Sequence, residues 1–336
     1  MWVGSKPMTT TAQRVLGRSG IEVSPIGFGC WAIGGPFTGG DGKPAGWGEV
    51  DDAESRAAID RALELGVTFF DTADVYGAGH SEEVLGAALR GRRDRAVIAT
   101  KFGNVFDPNT RAITGTDISA EYISSACDAS LRRLGTDHID LYQLHVGNAP
   151  LSEVDGLLSA LEGLVEAGKI RAYGWSTDDP ERAAAFAEGP HCVAVQHELN
   201  VLSDQPAMLD VVTRHNLTSI NRGPLAMGLL SGKYTAQSRL GSDDVRGDSP
   251  AWMRYFADGR PSQPWLDRLA TIRDILTADG RTLTQGALGW ILARHEGTVP
   301  IPGCRTVAQT QENAGTLAVG PLSQDAVARI AKLLTD

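Results

Sequence analysis

Four polar residues stand where their types could do chemistry on an oxygen atom. Phe69-Phe70-Asp71-Thr72-Ala73-Asp74-Val75-Tyr76-Gly77 sets a carboxylate at the end of an apolar run and a tyrosine five residues later, beside a turn glycine. Lys101 ends the next apolar run and His145 the one after that. An unperturbed tyrosine, with a pKa near ~10, is a weak acid or base at neutral pH. A lysine ammonium within ~4–6 Å favours the phenolate and is expected to lower that value by roughly 1–3 units. Asp71 would hold the lysine charged and oriented, and His145 would polarise a carbonyl by donating a hydrogen bond to its oxygen. Carbonyl reduction needs this combination of proton donor, tuner, orienter and polariser. Singly, each residue has an ordinary role as a cap, a solvated cation, packing or a core histidine. Their delivery from three successive run ends is what points to a site.

The elements that must deliver them follow an alternation. Near-continuous apolar runs at residues 23–28, 67–70, 96–99, 139–144, 170–175, 192–195, 217–220 and 298–301 suit strands covered on both faces of a parallel sheet. Helical patterns lie between them. Leu151, Val154, Leu158, Leu161 and Val165 run on one face and end at Gly168, and Ser119 can cap a helix carrying Ile123, Cys127, Leu131 and Leu134. The length of 336 residues admits two domains or one large barrel. Asp71, Lys101, His145, Ser176, Gln196, Asn221 with Arg222, and Arg305 all follow apolar runs directly. Polar residues offered by most strand ends suit a barrel, whose site gathers at one face, over an open sheet with a single crevice. The reading is a single (β/α)8 TIM barrel over residues 1–336, with an ordered core at about 14–334 and a flexible tail at 1–13. Segments 34–48 and 225–258 are expected to be long loops on the strand-end face.

Composition narrows the functions. A net charge of −10 disfavours a general nucleic-acid or membrane-surface binder. Cys30, Cys127, Cys192 and Cys304 form no CxxC pair and read as reduced thiols. No apolar stretch reads as a signal peptide or a membrane span, so a soluble cytoplasmic protein is expected. The histidines lack zinc-ligand spacing, and no metal is expected. Gly27-Phe28-Gly29-Cys30-Trp31-Ala32, with Asp51 downstream, matches the dinucleotide fingerprint, yet Gly34-Gly35-Pro36 forbids the helix that the fingerprint must open.

The ordered motifs FFDTADVYG, GHSEEVLGAAL, ATKFG, DLYQLH, GWST, QHELN, GPLAMGLLSGKY and IPGCR with ENAG resemble the aldo-keto reductase superfamily, from about residue 16 to 317. The resemblance implies a (β/α)8 barrel, its bottom plugged by a small N-terminal hairpin, binding NADP(H), with NAD as a possible substitute. It implies a tetrad of Asp71, Tyr76, Lys101 and His145, with Tyr76 as general acid in reduction and general base in oxidation. It places cofactor contacts at Gly29, Trp31, Asp71, Ser176, Gln196, Arg222, Pro224, Leu225, Gly228, Lys233, Arg305, Gln309 and Asn313. The substrate pocket is expected to draw on Trp31, Trp47, Tyr76, Phe106 and His145, around an aldehyde, ketone or sugar. Thr177, Leu199 and Arg222 depart from the family's usual residues. Gly303 and Gln309 stand where many members keep a lysine and an arginine around the 2′-phosphate, and Arg305 is the expected substitute. Two rival readings are a nicotinamide-sensing binding subunit with incidental turnover and a Schiff-base enzyme using Lys101.

Overall fold

The structure is a computed structural model that describes residues 13–247, 250 and 252–335. In chain order it contains β1 (Arg14–Val15), β2 (Glu22–Val23), β3 (Phe28–Gly29), α1 (Asp52–Glu64), β4 (Phe69–Asp71), α2 (His80–Ala88), β5 (Val97–Phe102), β6 (Asn104–Asp107) and β7 (Ala112–Thr116). There follow α3 (Ala120–Leu134), β8 (Ile139–Leu144), α4 (Val154–Glu166), β9 (Ile170–Ser176), α5 (Pro180–Phe186), β10 (Cys192–Glu198), α6 (Pro206–His215) and β11 (Thr218–Arg222). The last part holds β12 (Phe256–Ala257), β13 (Arg260–Pro261), α7 (Gln263–Leu276), α8 (Leu283–Arg294), β14 (Thr298–Pro300), α9 (Val307–Ala314), α10 (Thr316–Val319) and α11 (Gln324–Thr335).

Eight strands pair in parallel in the order β3, β4, β5, β8, β9, β10, β11, β14. Backbone bonds from Gly27 N to Pro300 O, Gly29 N to Pro302 O and Cys304 N to Gly29 O join the two ends, so the sheet closes into a (β/α)8 barrel. Local signals set the helix starts, though α4 buries Val154, Leu157, Leu161 and Leu164, so that of the expected face only Val154 and Leu161 are buried and Leu151 is exposed. Ser119 Oγ accepts from Tyr122 N at the start of α3, and Thr282 and Gln285 form a reciprocal capping box at α8. Gly168, just past α4, takes a positive φ of 70°.

One expected strand divides in two. Val23 belongs to the β1–β2 hairpin and the barrel begins only at Phe28, because Pro25 offers no backbone donor between them. The hairpin plugs the barrel: Leu16, Ile21 and Val23 pack with Phe69, Ala99, Leu141, Ala172, Val193, Ile220 and Val299 from the strands. Gly17, at φ 46°, lies so close to the carbonyl oxygens of Val193 and Asn216 that a Cβ would sit 2.4 and 2.7 Å from them. Segment 225–258 is less loop-like than expected: a 3₁₀ turn spans Ala226–Ser231, and its last residues enter the β12–β13 hairpin. Residues 1–12 of the expected tail lie outside the described residues.

The fold also builds a buried histidine. His197 in β10 is fully buried, with Nδ1 3.0 Å from Glu198 O and Nε2 2.7 Å from Ser219 Oγ. The carbonyl can only accept, so Nδ1 carries the hydrogen and Nε2 accepts from the serine. Burial pushes the imidazole pKa down to about 4. Unfolded, the same group titrates near ~6.5, so its stabilising contribution is complete above that pH and is lost as pH falls toward the folded value. Wild type is therefore expected to lose about 2 kcal/mol more than His197→Gln between pH 7.5 and pH 5 in urea unfolding. Parallel losses in the two proteins would contradict a neutral buried His197.

Candidate active site

Asp71 closes β4, Lys101 stands one residue before the end of β5, and His145 follows β8 directly. Adjacent parallel strands thus carry all three to one end of the barrel. Tyr76 arrives on the turn after β4. There Gly77, at φ 63°, packs against Gly34 so tightly that a Cβ would meet Gly34 O at 1.8 Å. Only glycine allows this approach, which seats the tyrosine beside segment 34–48.

The Lys101 ammonium is entirely buried. Its Nζ donates to Asp71 Oδ1 at 2.6 Å, Thr72 O at 2.8 Å and Tyr76 Oη at 3.3 Å. An ammonium has three hydrogens and no acceptor, so all three are committed. Tyr76 Oη therefore accepts from Lys101, and its own hydrogen remains available for another oxygen. Asp71 Oδ2 accepts from Gln143 Nε2 at 3.0 Å and Gln196 Nε2 at 2.7 Å. The His145 ring stands edge-on to Tyr76 with centroids 5.7 Å apart, and Trp31 stacks on the other side at 6.0 Å. Behind them, buried Glu82 accepts from Thr100 Oγ1 at 2.5 Å and Arg133 Nε at 2.6 Å, tying α2, α3 and β5 together.

The electrostatics differ from the expectation in one respect. Burial pushes the Tyr76 phenol above its ordinary value, outweighing the opposing pull of Lys101 and Arg222. The lysine lowers the phenol as expected but does not prevail. For Lys101, burial acts downward, yet Asp71 and Tyr76 hold its pKa above the ordinary lysine value. Burial, with Lys101 and Arg222 nearby, drives His145 well below the usual histidine range, so its imidazole is neutral. Its Nδ1 is buried with no hydrogen-bond partner.

A groove of about 670 Å³ leads away from Tyr76 to the start of α9. Gly29, Trp31, Asp71, Gln196, Arg222, Pro224, Leu225, Gly228, Lys233, Arg305, Gln309 and Asn313 line it, as do Trp47 and Tyr76. Three expected residues stand off the groove. Ser176 lies one strand over, in register with Gln196; Phe106 packs in the apolar cluster around Tyr76 with Phe37 and Val75; His145 faces Tyr76 itself. Arg222 pairs with Asp178. The Arg305 guanidinium donates to Trp47 O at 2.9 Å and Glu49 O at 2.6 Å, rather than extending freely along the groove.

Gln143 and Arg246 are among the residues of the site that escaped the sequence reading. Gln143 sits inside an apolar run, two positions before His145 and so on the same side of the strand, which was a usable signal. Arg246 had none. It lies within the groove wall, bonded to Asp244, Met227 O and Tyr234 Oη, and its guanidinium lies 4.6 Å from the centre of the Trp47 ring. Among the described residues no group of His, Cys, Asp or Glu could hold a metal ion, and no helix is long and apolar enough to cross a membrane. All four cysteines are buried thiols.

Known proteins resemble this chain over nearly its whole length. The Aldo/keto reductase family profile matches residues 25–335. The chain is 32% identical over 308 residues to the aldo-keto reductase yakc [NADP(+)] of Schizosaccharomyces pombe, covering 88% of this chain and 84% of that protein. The glycerol dehydrogenase AKR11B4 from Gluconobacter oxydans superposes with a TM-score of 0.80 at 27% identity, over 97% of this chain and 95% of that one. An aldo/keto reductase from Klebsiella pneumoniae in complex with NADP and acetate superposes with a TM-score of 0.67 at 27% identity, over 96% and 95%. The barrel, the hairpin beneath it and the strand-end chemistry have one account: the chain belongs to the aldo/keto reductase family.

Proposed function

We propose that this protein is an NADP(H)-dependent oxidoreductase that interconverts an aldehyde or ketone and the corresponding alcohol, with Tyr76 as the proton-transferring group. The observation that carries the reading is the Lys101 ammonium held between Asp71 and Tyr76 Oη at the head of the groove. The groove can take an anionic dinucleotide: Arg222, Lys233, Arg246 and Arg305 line it against the carboxylates of Glu54, Asp71 and Glu312, and the N-terminus of α9, capped by Thr306, opens beside it. A nicotinamide dinucleotide held there would supply the hydride that the carbonyl carbon gains in reduction, or take the one that the alcohol carbon loses in oxidation.

This chain's residues do the rest. Lys101 fixes the phenol oxygen, so the Tyr76 hydrogen is the one offered to the carbonyl oxygen. Neutral His145 has one N–H to polarise that oxygen without adding a charge. Trp31 and Trp47 supply apolar groove wall beside the reacting centre, and Phe106 packs in the same apolar cluster as Tyr76. Lys101 is a poor Schiff-base nucleophile here, because that chemistry needs a neutral amine and Asp71 keeps this one protonated. The intact set around Tyr76 favours turnover over a purely cofactor-sensing role.

The test is a panel of aldehydes, ketones and sugars followed by NADPH oxidation, with pH profiles in both directions. Reduction uses the protonated phenol, whose pKa burial raises, so kcat/KM for reduction should stay level from about pH 6 to 9. Alcohol oxidation uses the phenolate and should rise roughly tenfold per pH unit over the upper part of that range. A reduction rate already falling below about pH 8 would contradict the acid assigned to Tyr76.

A further inference from the structure

We propose that Arg305 is a positioning residue that couples the nucleotide end of the groove to the substrate pocket, by holding the backbone of Trp47. The proposal rests on the oxidoreductase reading and extends it. Arg305 lies just before α9, with its N–H bonded to Gln309 Oε1 at 2.8 Å, at the end of the groove far in sequence from the catalytic turn. Two of its guanidinium hydrogens go to the carbonyl oxygens of Trp47 and Glu49. Trp47 is pinned from other sides as well. It forms a β-bridge with Asp244, and Gly46 O accepts from Val245 N at 2.9 Å. Its ring meets Trp31 edge-on at 5.0 Å, and Trp31 in turn stacks on Tyr76. Trp31 Nε1 also donates to Ala45 O at 3.0 Å, in the same segment. A continuous chain of contacts therefore runs from Arg305 through Trp47 and Trp31 to Tyr76.

The indole N–H of Trp47 is buried without an acceptor, so backbone and ring contacts hold this side chain, with no polar bond of its own. Its placement is thus sensitive to what Arg305 does. A phosphate oxygen is a stronger acceptor for a guanidinium than a backbone carbonyl. A cofactor bearing a 2′-phosphate competes for the Arg305 donors, whereas a bare 2′-hydroxyl leaves them on Trp47 and Glu49. The two cofactors should then leave different substrate pockets, and the coupling between cofactor and substrate passes through this guanidinium.

The experiment measures carbonyl-substrate KM at saturating NADPH and at saturating NADH, in wild type and in Arg305→Ala. In wild type the two KM values are expected to differ by about fivefold or more, and in the variant to coincide. A KM ratio that survives the substitution, or equal values in wild type, overturns the proposal; weaker NADPH binding with that ratio intact is the signature of a phosphate contact alone. Hydrogen exchange supplies a readout independent of turnover: amides of residues 45–50 in the ligand-free protein should exchange faster in Arg305→Ala, and unchanged exchange also overturns it. Absence of hydride transfer to every carbonyl with both cofactors would instead sink the oxidoreductase reading, with the exchange result still deciding the role of Arg305.

Discussion

Tyr76→Phe is expected to cut turnover by about 10²–10⁴-fold while leaving NADPH binding within the range of wild type. The substitution removes one oxygen from a side chain whose ring is held on two neighbours. The ring keeps its stack on Trp31 and its edge contact with His145, and Lys101 keeps Asp71 and Thr72 O as partners. The lost Lys101–Tyr76 hydrogen bond is worth only about 0.5–1.5 kcal/mol net, so the fold survives. What disappears is the phenol hydrogen that the Lys101 contact leaves free for the carbonyl oxygen. Substrate-dependent NADPH oxidation measures the loss, and quenching of intrinsic fluorescence by NADPH measures retained binding. Activity within threefold of wild type would remove Tyr76 from the proton transfer and leave His145 as the candidate donor.

How far the site was legible in the sequence depends on what each feature needs. Near-continuous apolar runs marked the strands, and a polar residue at the end of each run marked the barrel face. That was enough to place Asp71, Lys101 and His145 together, since a parallel barrel has only one C-terminal rim. Gln143 was hidden because a glutamine within DLYQLH reads as part of the strand; only its parity with His145 betrays it. Arg246 belongs to a segment without periodicity, and no local pattern reveals that its guanidinium lies against the Trp47 ring. The phenol's balance was misjudged for a related reason. Sequence shows neither that the lysine is wholly buried nor how far the phenol is withdrawn from water, and that desolvation is what prevails at Tyr76. The resemblance marked Arg305 as a phosphate ligand, but only the long-range fold shows that its hydrogens go to carbonyl oxygens more than 250 residues away in the chain.

Lys101→Met should be the most destabilising single change in the site, by about 3–5 kcal/mol, because it strands a buried carboxylate. Asp71 is only 2% exposed and would keep just the two amide donors of Gln143 and Gln196. That loss is a large fraction of the roughly 5–15 kcal/mol available to a folded domain. Turnover would fall as well: without the ammonium, Tyr76 loses the charge that pulls its pKa down and the donor that orients its oxygen. Alcohol oxidation, which needs the phenolate, should suffer more than reduction. The variant alone does not separate folding from chemistry, so the decisive comparison adds Asp71→Asn. The double variant buries two neutral side chains in place of an ion pair and should recover much of the stability lost in Lys101→Met, while remaining as inactive. Urea unfolding of the four proteins closes the cycle. A double variant as unstable as the sum of the two singles would show that Asp71 and Lys101 act independently, and would leave the lysine's protonation to some other group.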